Sequence, residues 1–192
     1  MIDSKLVMQL RAQTGAGVLE AKKALEETEG DIEKAIDYLR KSGALKAAKK
    51  SDRATNEGLV HSYIHGAGRV GVLLELLCET DFVARNPIFA ELAHDIAMQI
   101  AATNPLYVKP EDITAEVVEK EKSIYAEETA GKPANIVEKI VEGKLQKWYG
   151  DVCLMRQPFV KDEDMTIEDL VKGAISKLGE NIQVRRFVRY SL

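Results

Sequence analysis

Apolar residues recur at helical spacing through residues 1–43. Leu6, Val7 and Leu10 form one stripe, Val18, Ala21 and Leu25 a second, and Ile32, Ala35, Ile36 and Leu39 a third at i, i+3, i+4 and i+7. Thr14 to Gly17 separates the first helix from the second. Gly30 and the N-cap candidate Asp31 separate the second from the third, and Gly43 is placed to end the third in a left-handed conformation. The pattern predicts a three-helix module with about ten core side chains, near the lower limit for a self-standing domain. Residues 44–56 lose the stripe and carry Lys46, Lys49, Lys50 and Arg53, which reads as a partly helical linker with a solvated basic face rather than a functional basic patch.

Beyond Asn56 the apolar period falls from helical to alternating. Val60, Ser62 and Ile64 alternate with His61, Tyr63 and His65; Gly66 to Arg69 supplies turn residues; Val70, Val72, Leu74, Leu76 and Cys78 share one face of a second strand. Leu73 and Leu77 opposite them predict cover on both faces of that strand. Asn86 and Pro87 open a helix carrying Phe89, Leu92, Ala93, Ile96 and Ile100, and Asn104 with Pro105 stops it. A weak helix around Ile113, Val117 and Ile124 is broken by Gly131-Lys132-Pro133 from a stronger one around Val137, Ile140, Val141, Leu145 and Trp148. Thr166 and Asp169 have capping-box spacing for a last helix through Ile167, Leu170, Val171, Ala174 and Leu178, closed by Gly179. A final strand, Ile182 to Leu192, is expected to complete the hairpin's sheet. The expected fold class is α+β, with residues 1–43 a three-helix docking module, 44–56 a basic linker and 57–192 an α+β core with a small antiparallel sheet.

Composition narrows the classes. The 192 residues are 45% hydrophobic and 30% charged, the balance of a folded chain rather than a disordered or collagenous one. A net charge of -4 argues against a dedicated nucleic-acid binder, although residues 1–54 carry +2 and the remainder -6. The most apolar run, Val70 to Cys78, contains Glu75 and falls short of the roughly 20 apolar residues that span a bilayer. The charged start, Met1 to Arg11, does not suit an export signal, and two cysteines suit a reducing compartment, so a cytoplasmic location without membrane contact is expected.

Few chemical motifs survive inspection. Gly66-Ala67-Gly68-Arg69-Val70-Gly71 matches G-x-G-x-x-G, but a strand follows where a phosphate-binding loop needs a helix, so it reads as a hairpin turn. His61 and His65, with only His94 elsewhere, do not assemble a closed metal site. Cys78 and Cys153 lie in apolar runs and read as core residues. What remains is the corner Glu79-Thr80-Asp81-Phe82-Val83-Ala84-Arg85-Asn86, where a large aromatic stands just before a strong helix start. Phe82 can fold back as a hydrophobic staple, with Asp81 favouring the helix amino terminus, or the pair can project as a wedge for a partner. The local chemistry by itself favours the folded-back form.

Thr80-Asp81-Phe82-Val83-Ala84-Arg85-Asn86 resembles the signature loop of the elongation factor Ts family, exchange factors for the translational GTPase elongation factor Tu. The likeness extends through Leu10 to Gly17, Lys22 to Leu25, Gly30-Asp31, Gly131-Lys132-Pro133, Gln157 to Asp162, Gly179 to Ile182 and Arg186-Phe187, so it spans nearly the whole chain in order. It implies an amino-terminal domain of ubiquitin-associated type and a non-enzymatic guanine-nucleotide exchange role in translation elongation. In that family the Asp-Phe pair enters the GTPase beside its nucleotide. Phe82 would wedge between helices there and Asp81 would disturb the network holding Mg²⁺, with Thr80 and Val83 setting the wedge and Arg85 and Asn86 supporting the loop. A diphosphate deprived of its ion is poorly compensated, and GDP leaves faster. GDP and Mg²⁺ belong to the partner, so the resemblance implies no cofactor, metal or catalytic residue in this chain. The resemblance reverses the preference at Phe82.

Val18-Leu19-Glu20-Ala21 departs from the Met and Cys residues common in the family. Longer members carry a second core subdomain and a helical hairpin insertion, and this chain is read as lacking both. Short members are associated with two-fold dimers, which implies a homodimer and a two-plus-two complex with elongation factor Tu. Two other classes compete: an adaptor whose three-helix module binds ubiquitin-like domains, and an enzyme using Cys78 or Cys153 with a histidine.

Overall fold

A computed structural model describes residues 2–129 and 133–192. The helices are α1 Ser4–Thr14, α2 Val18–Glu27, α3 Ile32–Ala48, α4 Asp81–Ala84, α5 Pro87–Thr103, α6 Ala115–Glu127, α7 Ala134–Val152 and α8 Ile167–Leu178. The strands are β1 Glu57–His65, β2 Val70–Cys78, β3 Pro158–Phe159, β4 Asp162–Thr166 and β5 Gln183–Ser191. β1, β2 and β5 form one sheet in the order β1-β2-β5, so the last strand completes the hairpin's sheet as expected, and the class is α+β. The chain divides into two compact units. One comprises Met1–Leu59, Leu76–Leu92 and Asp169–Gln183; the other Val60–Glu75, Ala93–Glu168 and Val184–Leu192.

In the first unit, Val7, Leu10, Ala21, Ala24, Leu25 and Ala35 make the core of the helical module, flanked by Leu6, Ile32, Ile36 and Leu39. Gly15 ends α1 in the left-handed conformation (φ 67°), and Asp31 caps α3 by accepting from Lys34 N at 3.1 Å. Two expectations fail here. Val18 is exposed rather than part of the stripe, because it opens the first turn of α2 beyond the core, and Ala24 replaces it. Gly43 does not end α3, which runs to Ala48. Ala44, Leu45, Ala47 and Ala48 are strong helix formers that outweigh a glycine cost of about 1 kcal/mol, and Gly43 is buried beside Ser176 of α8. The basic face is not simply solvated: Lys46 pairs with Glu20, Lys50 Nζ donates to Gly179 O at 2.5 Å, and Arg53 lies 3.5 Å from Glu79. Gly58, at φ 153°, lets β1 pass so close to β2 that a Cβ there would lie 2.2 Å from the Leu76 carbonyl oxygen.

In the second unit, Gly66, Ala67 and Gly68 all adopt positive φ in the hairpin turn, which confirms the turn reading of the glycine motif. Leu73 is exposed, so the expected cover on both faces of β2 is wrong; the buried face is that of Val72 and Leu74. α6 and α7 pack as an antiparallel helical hairpin, with Lys144 over the Tyr125 ring at 5.5 Å and paired with Glu128, while Lys122 faces Tyr149 farther along α7. The two helices expected on either side of Gly131-Lys132-Pro133 are therefore present, and they pair although the apolar period of α6 is weak. The Gly131-Lys132 break between them lies outside the described residues. The β3–β4 pair, unforeseen, is tied to α5 by buried Gln99, which donates to Gln157 Oε1 (3.2 Å) and Pro158 O (3.1 Å) and accepts from Val160 N (2.9 Å). Among the described residues no helix is long and apolar enough to cross a membrane.

Candidate functional site

The corner after β2 lies wholly within the first unit and is built from backbone outward. Thr80 is extended (φ -129°, ψ 156°) and its Oγ1 accepts from Val83 N at 3.4 Å, capping the single turn of α4. Ala84 N and Arg85 N bond back to the carbonyls of Thr80 (3.1 Å) and Asp81 (3.2 Å), and Asn86 N reaches Val83 O at 2.9 Å. Asn86 Oδ1 then accepts from Ile88 N at 2.9 Å, so one short turn leads directly into the Pro87 start of α5. This geometry divides the two apolar residues of the turn: Val83 is 9% exposed and Phe82 is 82% exposed. The folded-back staple is thereby excluded. Phe82 projects, and beside it the Asp81 carboxylate accepts from Arg85 at 2.8 Å.

Glu180, more than a helix and a sheet away in sequence, completes the corner. Its Oε2 accepts from Glu79 N (3.1 Å) and Thr80 N (3.0 Å), and its Oε1 from the Thr80 hydroxyl (2.6 Å). In return Glu79 Oε1 accepts from Asn181 N at 2.6 Å, while the Asn181 amide donates to the carbonyls of Ser51 (3.2 Å) and Arg53 (2.8 Å). No local spacing relates residues a hundred positions apart, so Glu180 and Asn181, and the bonds that tie Glu79 of the corner to them, were not legible; the only signal was that Gly179 to Ile182 belongs to the family likeness.

Two further exposed apolar groups stand out. On the helical module, Leu19 (82%) and Met8 (70%) join Val18 at the surface. On the sheet of the second unit, Val60 and Ile64 of β1, Leu73 of β2 and Val188 and Tyr190 of β5 are exposed, around the ion pairs of Glu75 with Arg185 (2.7 Å) and Arg186 (2.6 Å). The opposite face of this sheet carries His61 and Tyr63, whose rings meet His94 of α5 edge-on at 5.6 and 5.3 Å.

The rival chemistries find little support. Cys78 is fully buried with its thiol donating to Thr80 O at 3.2 Å, and burial, then the Glu180 charge, push it up to about 11. Burial likewise pushes Cys153 up to about 11. A nucleophile needs an accessible thiolate, and neither provides one. Among the described residues, no group of three or more His, Cys, Asp or Glu side chains could hold a metal ion.

Fold and site together define an α+β protein that presents a braced aromatic corner at its surface, the geometry of a protein-binding factor. The family model described as Elongation factor TS matches residues 5–174. Over its full length the chain is 55% identical to Elongation factor Ts of Carboxydothermus hydrogenoformans, covering 89% of that protein, and 55% identical to that of Thermosipho melanesiensis, covering 99%. It is also similar, at 56% identity and 98% coverage of the relative, to Elongation factor Ts of Coprothermobacter proteolyticus. The chain belongs to the elongation factor Ts family, and with that membership it is a factor of translation elongation.

Proposed function

We propose that this protein is a guanine-nucleotide exchange factor for elongation factor Tu, and that it releases GDP by inserting Asp81 and Phe82 beside the partner's nucleotide and Mg²⁺ site. The observation that carries the reading is Phe82, a large aromatic held 82% exposed on a turn in which the Ala84, Arg85 and Asn86 N–H groups bond back to its own carbonyls. A ring so placed costs exposure in the free protein and gains burial only against a partner. Asp81 stands beside it as a carboxylate to set against the phosphate and metal network. The protein performs no covalent chemistry: it shifts the affinity of its partner for nucleotide, and linkage requires nucleotide to weaken its own binding by the same factor. GTP binding then expels it.

The exposed apolar group of Met8, Val18 and Leu19 supports docking of the helical module on the same GTPase. The exposed sheet face of Val60, Ile64, Leu73, Val188 and Tyr190 supports a homodimer, since a second copy presenting the same face would cover it isologously. The working complex is then two copies of each protein, in the cytoplasm, without nucleic acid or membrane. The test is release of labelled GDP from purified elongation factor Tu with this protein added, alone and as Asp81→Ala. Acceleration that the substitution reduces is expected, and a release rate equal to the spontaneous one would refute the proposal. Sedimentation of the free protein tests the dimer; a monomer at working concentration that exchanges fully would remove it.

A further inference from the structure

We infer that Glu180 is the positioning residue of the Asp81–Phe82 corner, holding the turn in the one conformation that puts Phe82 outside and Val83 inside. The geometry stands by itself, while its consequence for exchange rests on the function proposed above. α4 has four residues, Asp81–Ala84, too few to hold its own conformation by helical cooperativity. A free turn would bury the larger of its two apolar side chains, because phenylalanine removes more area from water than valine. This turn does the reverse, with Val83 9% exposed and Phe82 82% exposed. Something outside the turn opposes that preference: besides the single bond from the Cys78 thiol to Thr80 O, the Glu180 carboxylate grips its start through three bonds.

Its three hydrogen bonds fix the start of the turn completely. One oxygen receives two successive backbone donors, Glu79 N and Thr80 N, which orients both peptide planes. The other receives the Thr80 hydroxyl proton at 2.6 Å. A hydroxyl has one proton, so with that proton committed to Glu180 the Thr80 oxygen can only accept, and it does so from Val83 N. The cap that turns the chain is thus set by Glu180 rather than by Thr80 alone. Charge-assisted bonds of this kind are about twice as strong as neutral ones. The carboxylate also has a fixed mount: Gly179 sits at φ 80° with its carbonyl bound by Lys50, and Asn181 is tied through its backbone to Glu79 and through its side chain to residues 51 and 53. Glu79 pairs with Arg53 and accepts from Asn181 N, so the segments around residues 51–53, 79–80 and 179–181 are bonded to one another, and a displacement of Glu180 is felt directly at Glu79 and Thr80.

The test uses the full chain carrying fluorinated phenylalanine at Phe82, Phe89, Phe159 and Phe187, with Glu180→Ala and Glu180→Gln. In Glu180→Ala the ¹⁹F line of Phe82 should shift and broaden while the other three stay in place. The maximal rate of GDP release should fall about tenfold, the loss of roughly one charge-assisted interaction, with the half-saturating concentration changing less than about threefold. Glu180→Gln keeps an acceptor for the two backbone donors and should recover to within about threefold of the unsubstituted rate. In a Phe82→Ala background, Glu180→Ala should cost clearly less than it does alone, since the larger part of its effect passes through the ring and only the part through Asp81 is left. An unmoved Phe82 line, four lines moving together, or an equal loss in the Phe82→Ala background would overturn the inference. If the unsubstituted protein fails to accelerate release, the exchange proposal falls and the fluorine lines alone decide the role of Glu180.

Discussion

Replacing Phe82 by alanine separates what the corner does for a partner from what it does for the fold. The ring is 82% exposed in the free protein, so its removal takes almost no apolar surface from the core. Stability should therefore change by no more than about 0.5 kcal/mol, the usual range for a surface substitution. If the ring inserts into the GTPase as proposed, it passes from water into a packed site, which is worth about 1.5 to 3 kcal/mol. With about 1.4 kcal/mol per tenfold change, the acceleration of GDP release should fall by about one to two decades. The assay is stopped-flow release of fluorescent GDP from elongation factor Tu at saturating exchange factor, with urea unfolding of the variant run beside it. A loss below about threefold at unchanged stability would refute the wedge, because burial of a whole phenyl ring cannot be worth so little. A loss above about three decades would refute the single-ring reasoning from the other side, because it exceeds what one phenylalanine supplies. Matched losses of exchange and stability would show that the ring belongs to the fold after all.

Three further outcomes follow from the same geometry. If the helical module docks through its exposed apolar group as proposed, Leu19→Ser should raise the concentration of this protein needed for half-maximal exchange by about tenfold and leave the maximal rate alone, because it removes docking area without touching the corner; its 82% exposure predicts an unchanged unfolding curve. Gly58→Ala should destabilise by about 2 to 4 kcal/mol in urea unfolding, since the added methyl would stand 2.2 Å from the Leu76 carbonyl oxygen at a φ of 153°. The two thiols, raised from 9.0 to about 11 in the fold, keep their protons where the unfolded chain has lost them, so stability should decline between those two pH values. Replacing both by alanine should flatten that decline in a pH series of thermal melts, and native protein should resist alkylation until it unfolds.

The helices announced themselves through periodicity and caps: Asp31, Asn86 and Gly179 sit where their capping chemistry requires, and the alternation of Val70 to Cys78 marked the central strand. The misreadings share a cause. Gly43, Val18 and Leu73 each satisfy a local rule, and each is overruled by what lies or does not lie across from it: Ser176 beside the glycine, and open surface at the valine and leucine. The β3–β4 pair was invisible because two residues of strand beside an acidic run carry no period, and it is the buried Gln99 that holds it. The first helix of the α6–α7 pair was only weakly legible because no residue of α6 is buried enough to give its sequence a firm stripe.

At the candidate site the division is sharper. Residue order alone was enough to mark Thr80 to Asn86 as a strand-to-helix corner with an aromatic at its centre, because a cap, a proline and a period change are all local signals. Its local chemistry favoured a folded-back ring and only the family resemblance favoured a projecting one, since both conformations satisfy the same seven residues. That choice is made by a carboxylate a hundred residues away, whose hydrogen bonds reach Glu79 and Thr80 only once the chain has folded. Burial preference by itself would have turned Phe82 inward; a contact that no spacing rule encodes turns it out.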